Sequence, residues 1–367
     1  MSTAELREIL HVEGDHDAAC EAIEQKGWSD GLPVVLPTAE RVRAMLQYCD
    51  RPWDEPIAKI APRYGHATPT RLAANAVMAG CRPQYFPLVM LSIEAICEEP
   101  FNLYSLQATT HNCAPLVIVN GPVARELDIN GGTGAFGPGR RSNATIGRAI
   151  RLALLNIGGG IPGFGDMATM GSPSKFSYLV AENEAVNPWE PLHVERGLPL
   201  EASAVTVIGG ESPHNINDHE STNAEGLLHT IAGSMRSLGI NDNYHQWRSQ
   251  PLVILAPEHA RVIADAGYSK LDVKRYLYEH TKLRLGDFSP ENIERRFRGK
   301  FDIYRDATLD EAVPLVRQPE DLLIAVIGGA GKHSAFVPTF GATKPVTRAL
   351  KRRDGSYAAS VEDFRQK

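Results

Sequence analysis

Two histidines follow two similar segments of the chain, each running from a short apolar stretch into a turn. VIGGESPHN (207–215) contains His214, and VIGGAGKHS (326–334) contains His333 with Lys332 beside it. Histidine can act as a general acid or base near neutral pH, and lysine can polarise a carbonyl or pair with a carboxylate. The sequence therefore predicts acid–base catalysis at these turns. Their neighbouring predicted substrate contacts are Asn215 and Ser334.

A glycine-rich loop, GGTGAFGPGRRSN (131–143), leads into a predicted helix over 143–156. Converging backbone N–H groups and a helix N-terminus favour a bound anion, and arginine adds charged donors. The loop contains G-x-G-x-x-G, but it follows no clear strand and Pro138 precedes the helix, so no nucleotide fingerprint is indicated. An ordinary surface loop with a helix cap is the alternative. The predicted anion-binding side chains are Arg140, Arg141, Asn143 and Thr145.

A second glycine-rich segment, 156–184, runs into another predicted strand. Many glycines in a long loop indicate close backbone approach to a ligand, or a lid. Lys175 and Glu182 flank the strand, and we expect them to assist catalysis. His111 directly precedes the predicted strand 115–121 and would lie at the opposite end of a parallel sheet. It is therefore a weaker candidate for contact with substrate.

A metal ion could take ligands from His214, Asp218 and His219, although their spacing matches no zinc pattern such as H-E-x-x-H. The metal question stays open at this point, and the sequence indicates no other cofactor. The chain also lacks the G-x-S-x-G elbow of α/β serine hydrolases. Cys113 lies near the start of a predicted buried strand and is expected to be a core thiol.

Composition narrows the class of protein. The net charge of −6 disfavours nucleic acid as a partner. No apolar stretch approaches the roughly 18–20 residues that cross a bilayer, and the N-terminus lacks the order of a secretory signal. Five scattered cysteines without a C-x-x-C pair favour a reducing compartment. We therefore expect a cytoplasmic protein without membrane or nucleic-acid partners.

Short continuous apolar runs ended by turn residues are typical of strands buried on both faces of a parallel sheet. Helical patterns alternate with them, which predicts an α/β fold with mostly parallel sheets. A helical region precedes these runs and includes an apolar hairpin over 68–98. The predicted strands are 115–121, 204–210, 251–257 and 322–329, and the predicted helices among them are 143–156, 222–237, 258–267, 271–280 and 343–352.

The similar segments recur in the same order along the chain. PLVIVNGPVAREL (115–127) resembles PLVILAPEHARVI (251–263), just as the two histidine turns resemble each other. We expect an internal duplication of strand–turn–His units, with His214 and His333 at equivalent strand ends that face one cleft. The alternative is that buried strands converge on Val, Ile and Gly. The predicted regions are a helical 1–100, a first α/β half 101–240 and a second α/β half 241–367.

Several segments together resemble the UGSC family, which is named for a selenocysteine- or cysteine-Gly-Ser-Cys motif and is mostly uncharacterised. This chain departs from the family motif because none of its cysteines is followed by Gly-Ser-Cys. The resemblance therefore implies a separate small C-G-S-C or U-G-S-C partner protein and thiol or selenol redox chemistry. The similar segments are ANAVMAGCRPQYFP (74–87), ATTHNCAPLVIVNGP (108–122), GAFGPGRRSNATIGRA (134–149), PWEPLHVERG (188–197) and GGAGKHSAF (328–336).

Together these features predict an enzyme that binds a small polar or anionic substrate in a cleft between two related α/β halves, with His and Lys acid–base chemistry. The resemblance adds reductive cleavage by the thiol or selenol of a partner, and a homo- or hetero-oligomer is expected. The alternative enzyme class is a lyase, hydratase or hydrolase, with or without a metal. The alternative to an enzyme is a non-catalytic scaffold subunit of a redox complex.

Overall fold

The computed structural model describes residues 10–244 and 248–366. Its first part is helical, as expected, and the helices begin where side chains can cap them. The carboxylate of Asp15 accepts two backbone N–H groups of the first helix, while Thr38 and Thr68 each accept one at the next two helices. Pro69 occupies the first turn after Thr68, where a missing N–H costs nothing.

The helices follow the predicted pattern over most of the chain, including the apolar hairpin over 68–98. Among the described residues, no helix is both long and apolar enough to cross a membrane. The helices are α1 (His16–Gln25), α2 (Ala39–Leu46), α3 (Pro69–Ala79), α4 (Phe86–Ile96), α5 (Leu103–Ala108), α6 (Pro122–Glu126), α7 (Arg141–Asn156), α8 (Leu192–Glu195), α9 (Ala224–Met235), α10 (Pro257–Asp265), α11 (Lys270–His280) and α12 (Pro290–Asn292).

The strands form two four-stranded sheets and two short ribbons. The first sheet has the order β12-β5-β3-β4, and the second has the order β10-β7-β11-β6. The ribbons pair β1 with β2 and β8 with β9. The strands are β1 (Ala58–Ile60), β2 (Gly65–Ala67), β3 (Ala114–Asn120), β4 (Leu179–Ala181), β5 (Ala204–Gly210), β6 (His214–Asn217), β7 (Leu252–Leu255), β8 (Leu283–Arg284), β9 (Ala312–Val313), β10 (Leu323–Val326), β11 (His333–Val337) and β12 (Val346–Ala349).

The mixed α/β architecture is confirmed, whereas the prediction of mostly parallel sheets is wrong. Within the two four-stranded sheets, only β3–β4 and β7–β10 are parallel pairs, and the other four described pairings are antiparallel. The apolar runs that predicted the strands report burial on both faces and carry no information about strand direction. The helix predicted over 343–352 is also wrong, because this segment forms β12 at the edge of the first sheet.

The structure does not confirm an internal duplication. The earlier members of the two matching pairs contain β3 and β5, which lie side by side and antiparallel. The later members contain β7 and β10, which pair in parallel. Each sheet also draws strands from both sides of residue 240, since β12 joins the first sheet and β6 joins the second. The matching segments therefore share apolar composition without sharing a common arrangement of strands.

Candidate functional site

The antiparallel pairing of β3 and β5 brings together the segment before β3 and the segment after β5. Ala114 opposes Gly210 in this register. The next residues outward include His111 and Glu211, whose Nε2 and Oε1 atoms lie 2.6 Å apart. Their side chains are 15% and 31% exposed, so both are shielded from most of the solvent, and Nδ1 of His111 is itself buried. The pairing thus creates a carboxylate–histidine dyad at the end of the first sheet.

The second glycine-rich segment covers this dyad. Thr169 donates its backbone N–H to the carbonyl of Thr110 over 2.9 Å. The hydroxyl of Tyr178 donates to the carbonyl of Glu211 over 2.7 Å, and the hydroxyls of Ser174 and Ser212 lie 2.8 Å apart. Three chain segments therefore converge at one sheet end. We call this place the edge site and define it by His111, Cys113, Arg151, Asp166, Lys175 and Glu211.

A nearly buried cluster of charged groups forms one side of the edge site. Lys175 Nζ contacts both carboxylate oxygens of Asp166, at 2.8 and 2.7 Å. Arg151 Nη1 lies 3.3 Å from the same carboxylate, and the three side chains are at most 14% exposed. Two cations share one carboxylate, so Arg151, Asp166 and Lys175 together carry one formal positive charge, and the carboxylate of Glu211 balances it over the edge site as a whole when His111 is neutral. An anionic ligand next to Arg151 and Lys175 would be stabilised by their local positive charge.

Buried polar atoms without a protein partner also gather here. Among the residues that the structure describes, Gln107 Nε2, His111 Nδ1 and Ser172 Oγ are buried and make no hydrogen bond. Gln107 lines a cavity of about 20 Å³ together with Cys113 and Lys175, which is large enough for one water molecule. A buried polar atom without a partner costs about 1–3 kcal/mol, so such a concentration marks a place built for water or ligand.

The contact with Glu211 selects one tautomer of a neutral His111. A neutral imidazole carries its proton on one nitrogen and a lone pair on the other. In the neutral form, Nε2 would donate to the carboxylate of Glu211 and the lone pair would lie on Nδ1, which is the nitrogen without a protein partner. This is the arrangement in which a carboxylate orients a general base.

Cys113 lines the same cavity and is 1% exposed. Burial raises the pKa of its thiol to about 12, although the positive charge of Lys175 partly opposes this rise. The thiol is therefore protonated at neutral pH, in keeping with the expectation of a core thiol rather than a nucleophile.

Glu182 lies away from the edge site, at the other end of β3 and β4. It is 4% exposed and accepts hydrogen bonds from four groups. Burial raises its pKa, while Lys270 and the donors act in the opposite direction. Since the donors come from both sheets and from the segment around α8, Glu182 holds these elements together. The four donors are Asn120 Nδ2, Asn187 Nδ2, the backbone N–H of Leu192 and the backbone N–H of Val326.

The predicted anion-binding loop uses its polar groups internally. Arg140 pairs with Asp128 over 2.8 Å, and two guanidinium nitrogens of Arg141 donate to the carbonyl of Gly80. Asn143 is 5% exposed and links the loop to β4 through backbone carbonyls, while Thr145 Oγ1 donates to the carbonyl of Arg141. In this conformation none of the four faces the edge site, because each holds a neighbouring segment in place.

The two histidine turns are adjacent in space, but their histidines do not face one cleft. β6 and β11 pair antiparallel, with His333 opposite Asn217 and His214 opposite Phe336. Side chains alternate along a strand, so His214 and His333 lie on opposite faces of the pair. Ser334 is buried and bonds to His259 Nδ1 over 2.8 Å, so it does not face substrate either.

A different set of groups meets at the second turn. His333 Nε2 lies 3.2 Å from Nε2 of His219, and His333 Nδ1 lies 3.1 Å from Oδ1 of Asn215. Lys332 Nζ donates to the carbonyl of His219 over 2.7 Å. The structure therefore groups His333, Lys332 and Asn215, as the sequence predicts, and replaces His214 with His219.

The metal-ligand set predicted from sequence does not converge. In the described parts of the chain, no group of three or more His, Cys, Asp or Glu side chains is placed to hold a metal. Asp218 instead accepts from Ser221 and Thr230, and these hydrogen bonds lower its pKa to about 2 against a raising effect of burial. Its carboxylate stabilises the turn before α9.

A larger cavity of about 660 Å³ lies between the N-terminal helices. It is lined mainly by apolar side chains, and the described lining contains one charged residue, Arg71. This cavity lacks an acid–base pair, so the chemistry is assigned to the edge site.

Sequence reasoning misses Glu211 and Arg151 and underrates His111. Glu211 directly follows the glycine pair that ends β5. This position indicates a contact with His111 only once β5 is known to end beside the start of β3. Arg151 lies on α7, and in the sequence it resembles an ordinary solvated charge of that helix. Its contact with Asp166 is visible only in the structure. Comparison of the chain with protein-family models, with curated proteins and with solved structures gives no match.

Proposed function

We propose that the chain is an enzyme that binds a small carboxylate at the edge site and transfers a proton through His111. The observation that carries this proposal is the unpartnered Nδ1 of His111, oriented through Nε2 by Glu211. Arg151 and Lys175 line the small cavity beside Cys113, which is two residues along the chain from His111. Together they pair a general base with a counter-ion for an anion.

The chemistry that suits this pairing is removal of a proton next to a carboxylate. The base accepts the proton, and charge builds on the substrate as an enolate-like anion, which fixed cations stabilise in a poorly hydrated site. This reaction class serves lyases, hydratases and isomerases. It corresponds to the acid–base alternative, which uses only side chains of this chain, whereas the reductive reaction implied by the family resemblance needs the thiol or selenol of a partner protein. The protonated Cys113 does not supply that thiolate.

The role of Lys175 can be tested by ligand binding. A panel of small carboxylates with two to five carbons, including 2-hydroxy, 3-hydroxy and unsaturated acids, is titrated into the protein by isothermal calorimetry. At least one should bind, and Lys175→Met should weaken its binding about tenfold to a hundredfold, because a charge-assisted hydrogen bond contributes about 1.5–3 kcal/mol.

Lys332→Met is the matched control, since this lysine lies at the second histidine turn outside the edge site. It should bind the same carboxylate as tightly as the unmodified protein. Circular dichroism establishes that both variants are folded. Equal weakening in both variants, or none in Lys175→Met, would contradict the assignment of the anion site.

A further inference from the structure

His219 and His333 approach each other from two different elements. His333 is the first residue of β11, and His219 lies in the loop between β6 and α9. Their Nε2 atoms are 3.2 Å apart, and the ring planes cross at 73°. Both side chains are exposed, so solvent has access to the space between the two nitrogens.

This separation matches that of two ligands on one metal ion. Imidazole nitrogens bind zinc at about 2.0–2.1 Å, and two of them in tetrahedral positions lie about 3.3 Å apart. The same distance also suits an N–H···N hydrogen bond between the two rings, and metal titration distinguishes the two arrangements.

The surroundings of His333 are also those of a metal-binding histidine. Its Nδ1 donates to the amide oxygen of Asn215, which leaves a lone pair on Nε2. A histidine that binds a metal usually donates its other ring N–H to an oxygen that fixes the ring and the tautomer, and Asn215 is in that position. Lys332 holds the second ligand's backbone by donating to the carbonyl of His219.

We propose that His219 and His333 form a two-histidine site for a divalent transition-metal ion, with Asn215 as the orienting residue. Imidazole suits zinc, nickel and copper, and water molecules complete the coordination because the site is open to solvent. The described residues provide two protein ligands here and no third, which predicts binding weaker than at a closed structural zinc site. The ion would tie β11 to the loop before α9.

The test is calorimetric titration of the full chain, stripped of metal with a chelator, with nickel and zinc chloride near pH 7.5. One ion should bind, and His219→Ala or His333→Ala should each weaken that binding at least tenfold. Asn215→Leu should also weaken it, by about tenfold, because loss of an orienting partner typically costs tenfold to a hundredfold in metal affinity.

His214→Ala is the matched control, since this exposed histidine is close in sequence and lies on the other face of β6. It should bind the ion like the unmodified protein. The proposal is overturned if the unmodified chain binds neither ion, if neither His219→Ala nor His333→Ala weakens binding, or if His214→Ala weakens it equally. These readouts involve no substrate, so they are independent of the proposed enzymatic function.

Discussion

Replacing Glu182 with alanine should lower the free energy of unfolding by about 3–5 kcal/mol, because it removes the acceptor of several buried donors and each unpaired donor costs about 1–3 kcal/mol. The carboxylate is 4% exposed and accepts from β10 at Val326, from α8 at Leu192 and from β3 at Asn120. The substitution takes this acceptor from the backbone N–H groups of Val326 and Leu192, while Asn120 keeps its hydrogen bond to Glu184. Urea denaturation followed by circular dichroism measures the loss.

Two comparisons make this result specific. Glu182→Gln keeps one acceptor oxygen, so it should lose less stability than Glu182→Ala. Glu220→Ala removes an exposed carboxylate and should change stability by no more than about 0.5 kcal/mol. If Glu182→Ala unfolded at the same urea concentration as the unmodified protein and lost turnover instead, Glu182 would be a catalytic residue after all.

Local features of the sequence predict local features of the fold well. The caps Thr38 and Thr68 and the proline after Thr68 mark helix starts that the structure contains. The apolar runs at 204–210 and 322–329 mark strands. These signals are readable because capping and burial depend on residues within a few positions of each other.

The direction of each strand and the identity of its neighbours depend on the whole chain, so local sequence patterns do not predict them. β3 and β5 are separated by more than 80 residues, and β5 pairs with β12 from near the end of the chain. The apolar face of a strand fits a parallel or an antiparallel neighbour equally well. In a parallel sheet His111 and Glu211 would lie at opposite ends, whereas the antiparallel pairing of β3 and β5 brings them together.

The histidine turns show the same limit on a smaller scale. His214 and His333 occupy matching positions in similar segments. Side chains along β6 and β11 alternate between the two faces of the sheet, and this places the two histidines on opposite faces. His219, only five residues from His214, lies in a loop and can turn back onto His333. Similarity between segments predicts similar local conformation, while the pairing register decides which side chains meet.

Replacing His111 with alanine should slow the reaction at the edge site about 10²- to 10⁴-fold, the usual contribution of a positioned general base. The measurement is deuterium incorporation from D₂O into the carboxylate that binds best in the calorimetric panel, followed by NMR. Glu211→Gln should lower the rate less, because the amide oxygen still accepts from Nε2 and holds the same tautomer, while the stabilising negative charge is lost.

Two controls separate a catalytic role from a structural one. His214→Ala removes an exposed histidine outside the edge site and should exchange deuterium at the unmodified rate. In His111→Gly, added imidazole should restore part of the lost rate, since a free base can enter the space that the side chain leaves. A structural defect would not respond to imidazole. Full exchange activity in a folded His111→Ala protein would contradict the proposal, because the imidazole of His111 would then not be the base.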